Sequence, residues 1–261
     1  MFRAMRSAAS GMQSQQTNVD TIANNIANVN TAGFKRNRLN FRSLLYATLR
    51  DPGSATTSTQ KNPTGLQIGS GAEVASSIKL NTQGDLELTN NDLDIGVQGD
   101  GFFKIDLGNG EFRYTRDGSF RKDSTGALVT VDGFKLQPGI TVPQDSIGIT
   151  IGQDGTVQVR VAGSETLQTA GQILVTRFSN AAGLRAEGQN FFSVTDSSGP
   201  GVQQAPSTQG AGFLRQGFLE RSNVSVVDEL INLIQAQRNY EVNSRTIKVA
   251  DEMLQQVSNL A

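Results

Sequence analysis

Apolar residues recur at helical spacing near the C-terminal end of the chain. From Val226 onward they follow one another at steps of three and four residues as far as Ala261. Such steps are typical of a coiled-coil seam, and a doubled step of three at Ile247 predicts a stammer in it. Ser225 and Asp228 have capping-box spacing, so a long helix is predicted to begin near Val226. The predicted C-terminal seam comprises Val226, Val227, Leu230, Ile231, Leu233, Ile234, Tyr240, Ile247, Leu254 and Val257.

The N-terminal segment has apolar residues at the same spacing. The other positions there are mostly uncharged Ser, Thr, Gln and Asn, which are poor helix formers. This helix is therefore predicted to depend on packing, and to end at Asn30 to Gly33, where Gly33 supplies a left-handed cap. The predicted N-terminal seam comprises Met5, Met12, Val19, Ile22, Ile26 and Val29.

Residues 72–218 show the alternation that is typical of β-strands. Asp-Gly pairs at Asp100, Asp117, Asp132 and Asp154 separate many of these runs, and they predict tight turns between neighbouring antiparallel strands. The predicted fold class is α+β. Long N- and C-terminal α-helices pack as a coiled coil, and an extended connection joins them to a central, mainly antiparallel β domain.

Residues 44–71 form a polar connection, rich in Gly, Pro, Ser and Thr and without periodicity. A stretch of this length is either functional or disordered. The predicted organisation has three parts. Residues 1–33 with 223–261 form a terminal-helix domain, residues 34–71 with 197–222 form an extended connecting region, and residues 72–196 form the central β domain.

Composition lowers the expectation of catalysis. The 261 residues include no cysteine and no histidine, so thiol nucleophiles, thiolate metal sites and the commonest general base are absent. Asp92, Asp94 and Asp100 resemble a carboxylate pair or a calcium site, but their place beside turns favours a structural role. We therefore predict no enzyme activity, no cofactor and no metal site.

Charge and hydropathy also exclude several partners. The net charge is −1, which does not favour nucleic acid as a partner. No apolar run approaches the length of a membrane span, and the N-terminus lacks the apolar region of a cleaved signal peptide. The sequence predicts neither nucleic-acid binding nor membrane insertion.

A second apolar row on the C-terminal helix predicts contacts between copies of the chain. Val227, Ile231 and Ile234 lie beside the seam, and one partner helix covers only one stripe. If each copy presents different faces to its neighbours, the assembly does not close and a helical filament forms. Two alternatives remain open at this point: an intramolecular helix pair that caps a globular domain, and a secreted adhesive or carbohydrate-binding β domain with coiled-coil ends.

Four motifs resemble those of the bacterial flagellar basal-body rod and hook axial family. They cover both ends of the chain and the first half of the β region. The length and the segment 44–71 are most like the distal rod member, although a proximal rod or hook paralogue remains an alternative. The motifs are residues 22–36 (IANNIANVNTAGFKR), 91–103 (NDLDIGVQGDGFF), 114–120 (YTRDGSF) and 222–254, with the core AQRNYE at 236–241.

This resemblance implies a structural role in motility. Members form a helical homo-oligomeric tube in the periplasmic basal body, lined by the terminal helices, and transmit torque from motor to hook. Implied partners are the proximal rod proteins, the hook protein or hook-rod boundary, the P- and L-ring bushing, and the flagellar type III export apparatus, which removes no signal peptide. A rod-stiffening loop is implied at Tyr46, Arg50, Pro52, Pro63 and Leu66.

Overall fold

A computed structural model of the chain describes residues 2–53, 63–162 and 166–260, without the side chains of residues 257, 259 and 260. Its contacts divide the chain into two compact units. The terminal unit comprises Met1–Ala27, Asn37–Ile78 and Ser225–Ala261, and the central unit comprises Asn28–Arg36 and Lys79–Val224. The α+β class, with a helix at each end and a mainly antiparallel β region between them, is confirmed.

The terminal unit contains the two helices and two strand pairs. Strand β1 pairs with β4, and β2 pairs with β3. The elements are α1 (Phe2–Ala27), β1 (Asn37–Ser43), β2 (Tyr46–Arg50), β3 (Leu66–Gly69), β4 (Ala72–Lys79) and α2 (Val226–Leu260).

Helix α2 begins where its capping residues predict. The amide of Asp228 donates to Ser225 Oγ over 3.5 Å, and the amide of Glu229 donates to the Ser225 carbonyl over 3.0 Å. These bonds satisfy donors that the first helical turn leaves open.

Helix α1 ends earlier than predicted, at Ala27 rather than at Asn30 to Gly33. Beyond it, Thr31 donates twice to Asn28, from its amide to the carbonyl and from Oγ1 to Oδ1 over 3.1 Å. Short polar side chains compete in this way with helical hydrogen bonding, which explains the early end. Gly33 does adopt a positive φ of 68°, but as part of the following loop.

The two helices pack against each other, and the buried row on α2 differs from the predicted seam. Glu229, Ala236 and Ala250 are buried, and Asn243 is half-buried between them. These four positions are seven residues apart, and close packing places small side chains at two of them. Ser244, Ile247 and Ala250, which form the doubled step of the predicted seam, are also at least half-buried. The stammer at Ile247 stays a prediction.

Residues 44–71 contain regular structure that the sequence analysis did not predict. Strands β2 and β3 pair antiparallel, with Tyr46 opposite Gly69 and Arg50 opposite Leu66. The register shifts between Thr48 and Arg50. The strands are too short and too polar to show a clear period of two, and residues 54–62 of this segment lie outside the described residues.

The central unit is built from short antiparallel strands. Its largest sheet has the order β16-β17-β8-β7-β11-β10-β9, and β12, β13 and β14 form a second sheet. The remaining pairs are β15 with β18, β19 with β6, and β20 with β5. The strands are β5 (Leu86–Leu88), β6 (Ile95–Gln98), β7 (Phe103–Asp106), β8 (Phe112–Thr115), β9 (Arg121–Lys122), β10 (Leu128–Val129), β11 (Lys135–Gln137), β12 (Ser146–Ile151), β13 (Thr156–Val161), β14 (Leu167–Gln172), β15 (Val175–Arg177), β16 (Arg185–Gly188), β17 (Phe191–Ser193), β18 (Val202–Gln204), β19 (Phe213–Gln216) and β20 (Phe218–Glu220).

A large apolar core holds most of these strands together, and Phe102, Tyr114, Leu184 and Phe192 form a second, smaller cluster. Alternate residues of most strands contribute to the large core, as expected for strands that bury one face. The Asp-Gly pairs behave in two ways. Gly155 joins β12 to β13 with a φ of 84°, whereas Gly118 is required by close packing, since a Cβ there would lie 1.8 Å from the Ile95 carbonyl oxygen. The core comprises Ile95, Val97, Phe103, Ile105, Phe120, Leu128, Leu136, Ile140, Val142, Ile151, Val157, Val159, Ile173, Val175, Phe191 and Leu214.

Candidate assembly surfaces

A buried asparagine fixes the C-terminal end of α1 within the terminal unit. Asn25 donates from Nδ2 to the Asn37 carbonyl and accepts from the Asn37 amide, each over 2.9 Å. Its Nδ2 also lies 3.3 Å from Oε2 of the buried Glu229. Because Asn25 satisfies both main-chain groups of Asn37, it joins α1, β1 and α2. The sequence analysis missed this role, although the position lies at the seam spacing, three residues after Ile22.

None of the six residues of the predicted N-terminal seam is exposed. Ile22 is buried, with 4% of its surface exposed. The other five predicted residues are half-buried: Met5, Met12, Val19, Ile26 and Val29. Val29 lies just beyond the end of the helix. The buried residues of α1 also include Ala8, Ser14 and Asn25, so this helix buries polar side chains as well as apolar ones.

Most of the predicted C-terminal seam is exposed in the single chain. Leu233, Ile247 and Leu254 are half-buried. The Val257 side chain lies outside the described part of the chain. The exposed members are Val226, Val227, Leu230, Ile231, Ile234 and Tyr240. Apart from Leu233, the large apolar residues in the first three turns of α2 therefore remain uncovered, whereas the small Ala236 is buried.

The β2–β3 hairpin presents a second exposed apolar surface. Tyr46 and Leu66 are 57% and 51% exposed, and Leu45 is 88% exposed. Of the other predicted loop residues, Arg50 ends β2, and Pro52 and Pro63 are exposed beside the strands. At its base, Ala47, Ile68, Gly69 and Ser70 line a pocket of about 160 Å³ together with Arg3 and Arg6 of α1.

A shallow groove runs between α1 and α2. It has a volume of about 410 Å³. Val19 and Tyr240 give it apolar walls, and Gln16, Gln237 and Glu241 give it polar ones. The groove is open to solvent and both helices line it. It is therefore a candidate contact surface for another helix.

The central unit contains a buried ionic cluster formed by Lys35, Arg116 and Glu220. Glu220 accepts from Lys35 Nζ over 2.6 Å and from Arg116 Nε over 2.5 Å, and all three side chains are almost fully buried. The Gly84 amide also donates to Glu220 over 2.9 Å, and Lys35 donates to the Thr82 carbonyl over 2.8 Å. Arg116 donates further to the main-chain carbonyls of three residues, Val97, Gly99 and Gly101.

The surroundings determine the ionisation of this cluster. Burial lowers the pKa of the Lys35 ammonium, against the opposing effect of the Glu220 carboxylate. Burial also tends to raise the pKa of Glu220, but the charges of Arg116 and Lys35 outweigh it and hold that pKa below its ordinary value. The cluster is a structural one. The sequence analysis did not single out these residues, although Lys35 and Arg116 belong to two of the family-like motifs.

The candidate carboxylates do not converge on a site. Asp94 is buried and accepts from Asn91 Nδ2 over 3.0 Å, while Asp92 and Asp100 are exposed. Among the described residues, no group of three or more acidic side chains is arranged to hold a metal ion. No helix in the same ranges is long and apolar enough to cross a membrane.

Three family models match the chain, and together they cover both helices and much of the β region. Residues 5–35 match the flagella basal body rod protein family. Residues 96–159 match the D1 domain of the flagellar hook protein FlgE/F/G family, and residues 215–260 match the C-terminal region of the flagellar basal body rod FlgEFG family.

Full-length relatives agree with these matches. The chain is 47% identical to the flagellar basal-body rod protein FlgG of Caulobacter vibrioides, over 99% of both chains. It is 46% identical to FlgG of Borreliella burgdorferi, over 100% of this chain and 99% of the relative, and 41% identical to FlgG of Buchnera aphidicola over the whole of both. Full-length similarity to rod proteins favours a rod subunit over the hook and adhesive alternatives. The chain therefore belongs to the family of flagellar basal-body rod proteins and is a structural subunit of the distal-rod type.

Proposed function

We propose that copies of this chain assemble through α1 and α2 into a helical tube that transmits torque from motor to hook. In this tube the terminal helices form the inner wall and pack as coiled coils within and between subunits. The terminal helices, the connecting region and the central β domain act as successive parts of each subunit. The chain works as a mechanical element and has no enzymatic role.

The uncovered apolar face of α2 is the observation that carries this proposal. Val227, Ile231 and Ile234 are 67%, 49% and 49% exposed on one helix. A contiguous apolar surface of this kind is normally covered by a partner. For a member of an axial family, further copies of the same chain are the simplest cover, and contacts between unlike faces generate an open helix.

The proposed location and partners follow from the family. The tube lies in the periplasmic part of the basal body, between the proximal rod proteins and the hook or hook-rod boundary, and turns within the P- and L-ring bushing. The chain reaches this place through the flagellar type III apparatus, without a cleaved signal peptide. The absence of disulfides suits passage as an unfolded chain, because no cross-link has to be opened.

The β2–β3 hairpin is proposed to stiffen the tube. Its exposed Leu45, Tyr46, Leu49 and Leu66 offer an apolar surface for a neighbouring subunit. A hairpin wedged between subunits would restrict their relative movement, because each bend of the tube would have to expose this surface again.

Assembly of the full chain tests the proposed function. We expect filaments that grow with protein concentration, as followed by sedimentation and electron microscopy. The variant Ile231→Ser/Ile234→Ser should remain monomeric, because it removes much of the exposed row. Val131→Ser/Val202→Ser is the matched control, since these residues are at least as exposed but lie in the central unit. An unmodified chain that stays monomeric at high concentration would contradict the proposal.

A further inference from the structure

Helix α2 carries an exposed row with a period of eleven residues. Val227, Arg238 and Val249 are eleven residues apart, and Ile231, Val242 and Met253 repeat the same interval. An eleven-residue repeat corresponds to 3.67 residues per turn, close to the helix's own period, so the row runs almost straight along the helix. We call it the outer row, and its members are all exposed: Val227, Ile231, Ile234, Arg238, Val242, Arg245, Val249 and Met253.

The outer row lies on the side of α2 that faces away from α1. The contact with α1 uses Glu229, Ala236 and Ala250, which repeat at multiples of seven residues. At about 100° per residue, Ile234 and Val242 point away from Ala236. One helix therefore carries two separate interaction faces with two different periods. The inner face already has its partner and the outer face has none within the described chain.

Charged residues interrupt the outer row at regular places. Arg238 and Arg245 occupy row positions, and neither forms an ion pair within the described residues. A partner surface for this row must therefore combine apolar patches with acidic or polar groups.

The groove between α1 and α2 has this combination. Val19 and Tyr240 provide apolar contact, and Glu241 provides a carboxylate that has no ion pair among the described residues. Asp20, the only acidic residue of α1, follows Val19 directly and is exposed. The groove also adjoins the existing α1–α2 contact, so a third helix there would extend a packed surface.

We propose that the outer row of one copy lies in the α1–α2 groove of the next copy. This inference rests on the proposed assembly and specifies its main contact. Arg238 and Arg245 meet Glu241 and Asp20 of the neighbour, while Val242 and Val249 lie over Val19 and Tyr240. Row and groove adjoin on α2, since Glu241 of the groove lies one turn from Arg238 and Arg245, but they are not the same surface. Each copy therefore donates its row and receives a row in its groove. Such a contact is heterologous and does not close, which is the requirement for a tube wall.

Cysteine cross-linking provides a direct test, because the natural chain has no cysteine. Val242→Cys and Val19→Cys are made in separate chains, mixed, polymerised and oxidised. A disulfide needs Cα atoms within about 7 Å, so a mixed dimer reports the contact between copies. We expect the Val242→Cys/Val19→Cys dimer, and no dimer in the control mixture of Val202→Cys with Val19→Cys. Dimers of Val242→Cys with itself would overturn the proposal in favour of a symmetric α2–α2 contact.

Charge exchange supplies a second test. Arg238→Glu/Arg245→Glu and the separate variant Glu241→Arg should each reduce the sedimentable polymer about tenfold, and a chain with all three changes should recover it. Circular dichroism of each monomer checks that the helices still form. Unchanged polymerisation of both variants, with normal filaments but no cross-link, would overturn the row-in-groove contact alone. Failure of the unmodified chain to polymerise would overturn the proposed function as well.

Discussion

At the residue scale, Glu220 joins three separate segments of the central unit. Its carboxylate accepts hydrogen bonds from Lys35 before β1, from Gly84 before β5 and from Arg116 after β8. Two cations and one anion taken out of water are stable only if each has a partner in good geometry. Removal of the carboxylate would leave two buried positive charges without compensation.

The variant Glu220→Gln should therefore lose about 3–5 kcal/mol of unfolding free energy, the usual loss when one member of a buried ion pair is removed. Urea unfolding of the monomeric chain measures this quantity. Glu73→Gln is the control, because Glu73 pairs with Arg42 at the surface. That change should lower stability by less than about 1 kcal/mol. Equal losses in both variants would show that the buried cluster contributes little.

Ionisation of the Glu220 carboxylate should make the free energy of unfolding depend on pH. The pKa of Glu220 is lower in the folded protein than in the unfolded chain, because Arg116 and Lys35 outweigh the effect of burial. Its stabilising contribution is complete above the ordinary glutamate pKa of about 4.3 and is lost as the pH falls through the lower folded-state pKa. The stability difference between the natural chain and Glu220→Gln should shrink in this acidic range, as measured by urea unfolding at several pH values. A constant difference would exclude this linkage.

At the scale of elements, α2 presents two different faces, one packed against α1 and one exposed. Its inner face carries small residues, such as Ala236 and Ala250, which allow α1 to approach closely. Its outer face carries larger aliphatic residues and remains exposed. The spacing of apolar residues predicted the second row beside the seam, but it did not show that small residues such as Ala236 form the face in contact with α1.

Loss of the β2–β3 hairpin should change the stiffness of the polymer without preventing its assembly. Deletion of residues 46–66 leaves α1, α2 and the outer row intact, so polymers should still form. They should be curved or flexible in electron micrographs, because the proposed wedge between subunits is gone. Removal of Gly108 from the β7–β8 turn in the central unit is the control, and should leave the polymers straight. Straight polymers from the hairpin deletion would contradict the stiffening role.

At the scale of the whole molecule, we expect the terminal helices to depend on neighbouring copies for part of their stability. Many polar residues of α1 have low helix propensity, and α2 leaves its outer row uncovered. Ordering such ends costs conformational entropy, which contacts between copies offset.

We therefore expect a gain of helical signal on assembly. Far-ultraviolet circular dichroism of the soluble chain and of its polymer measures it. The assembly-deficient variant Ile231→Ser/Ile234→Ser should show no gain at the same concentration. Identical spectra before and after polymerisation would mean that the helices are complete in the monomer and that assembly adds only packing.

Several features could be predicted from the sequence because they depend on neighbouring residues. Helical spacing and the Ser225 cap predicted α2 almost to its last residue, and alternation predicted strands over residues 72–218, where β5 to β19 lie. Strand β2 was missed because it is short, and the pairing of β19 with β6 and of β20 with β5 was not predicted because it joins segments far apart in the chain. The β2–β3 hairpin and the residue bounds of the central unit could not be predicted from the spacing of neighbouring residues.

The amino-acid sequence by itself determined the helical ends and the β character of the middle, because periodicity, capping and turn chemistry act over a few residues. Its four motifs, and not its periodicity, carried the resemblance to the axial family. Only the tertiary structure decided which face of α2 contacts α1, how Asn25 joins α1 to β1, and that Glu220 collects charges from Lys35 and Arg116. These outcomes depend on close packing and on pairing of buried polar groups between segments far apart in the chain, and local spacing carries no information about either.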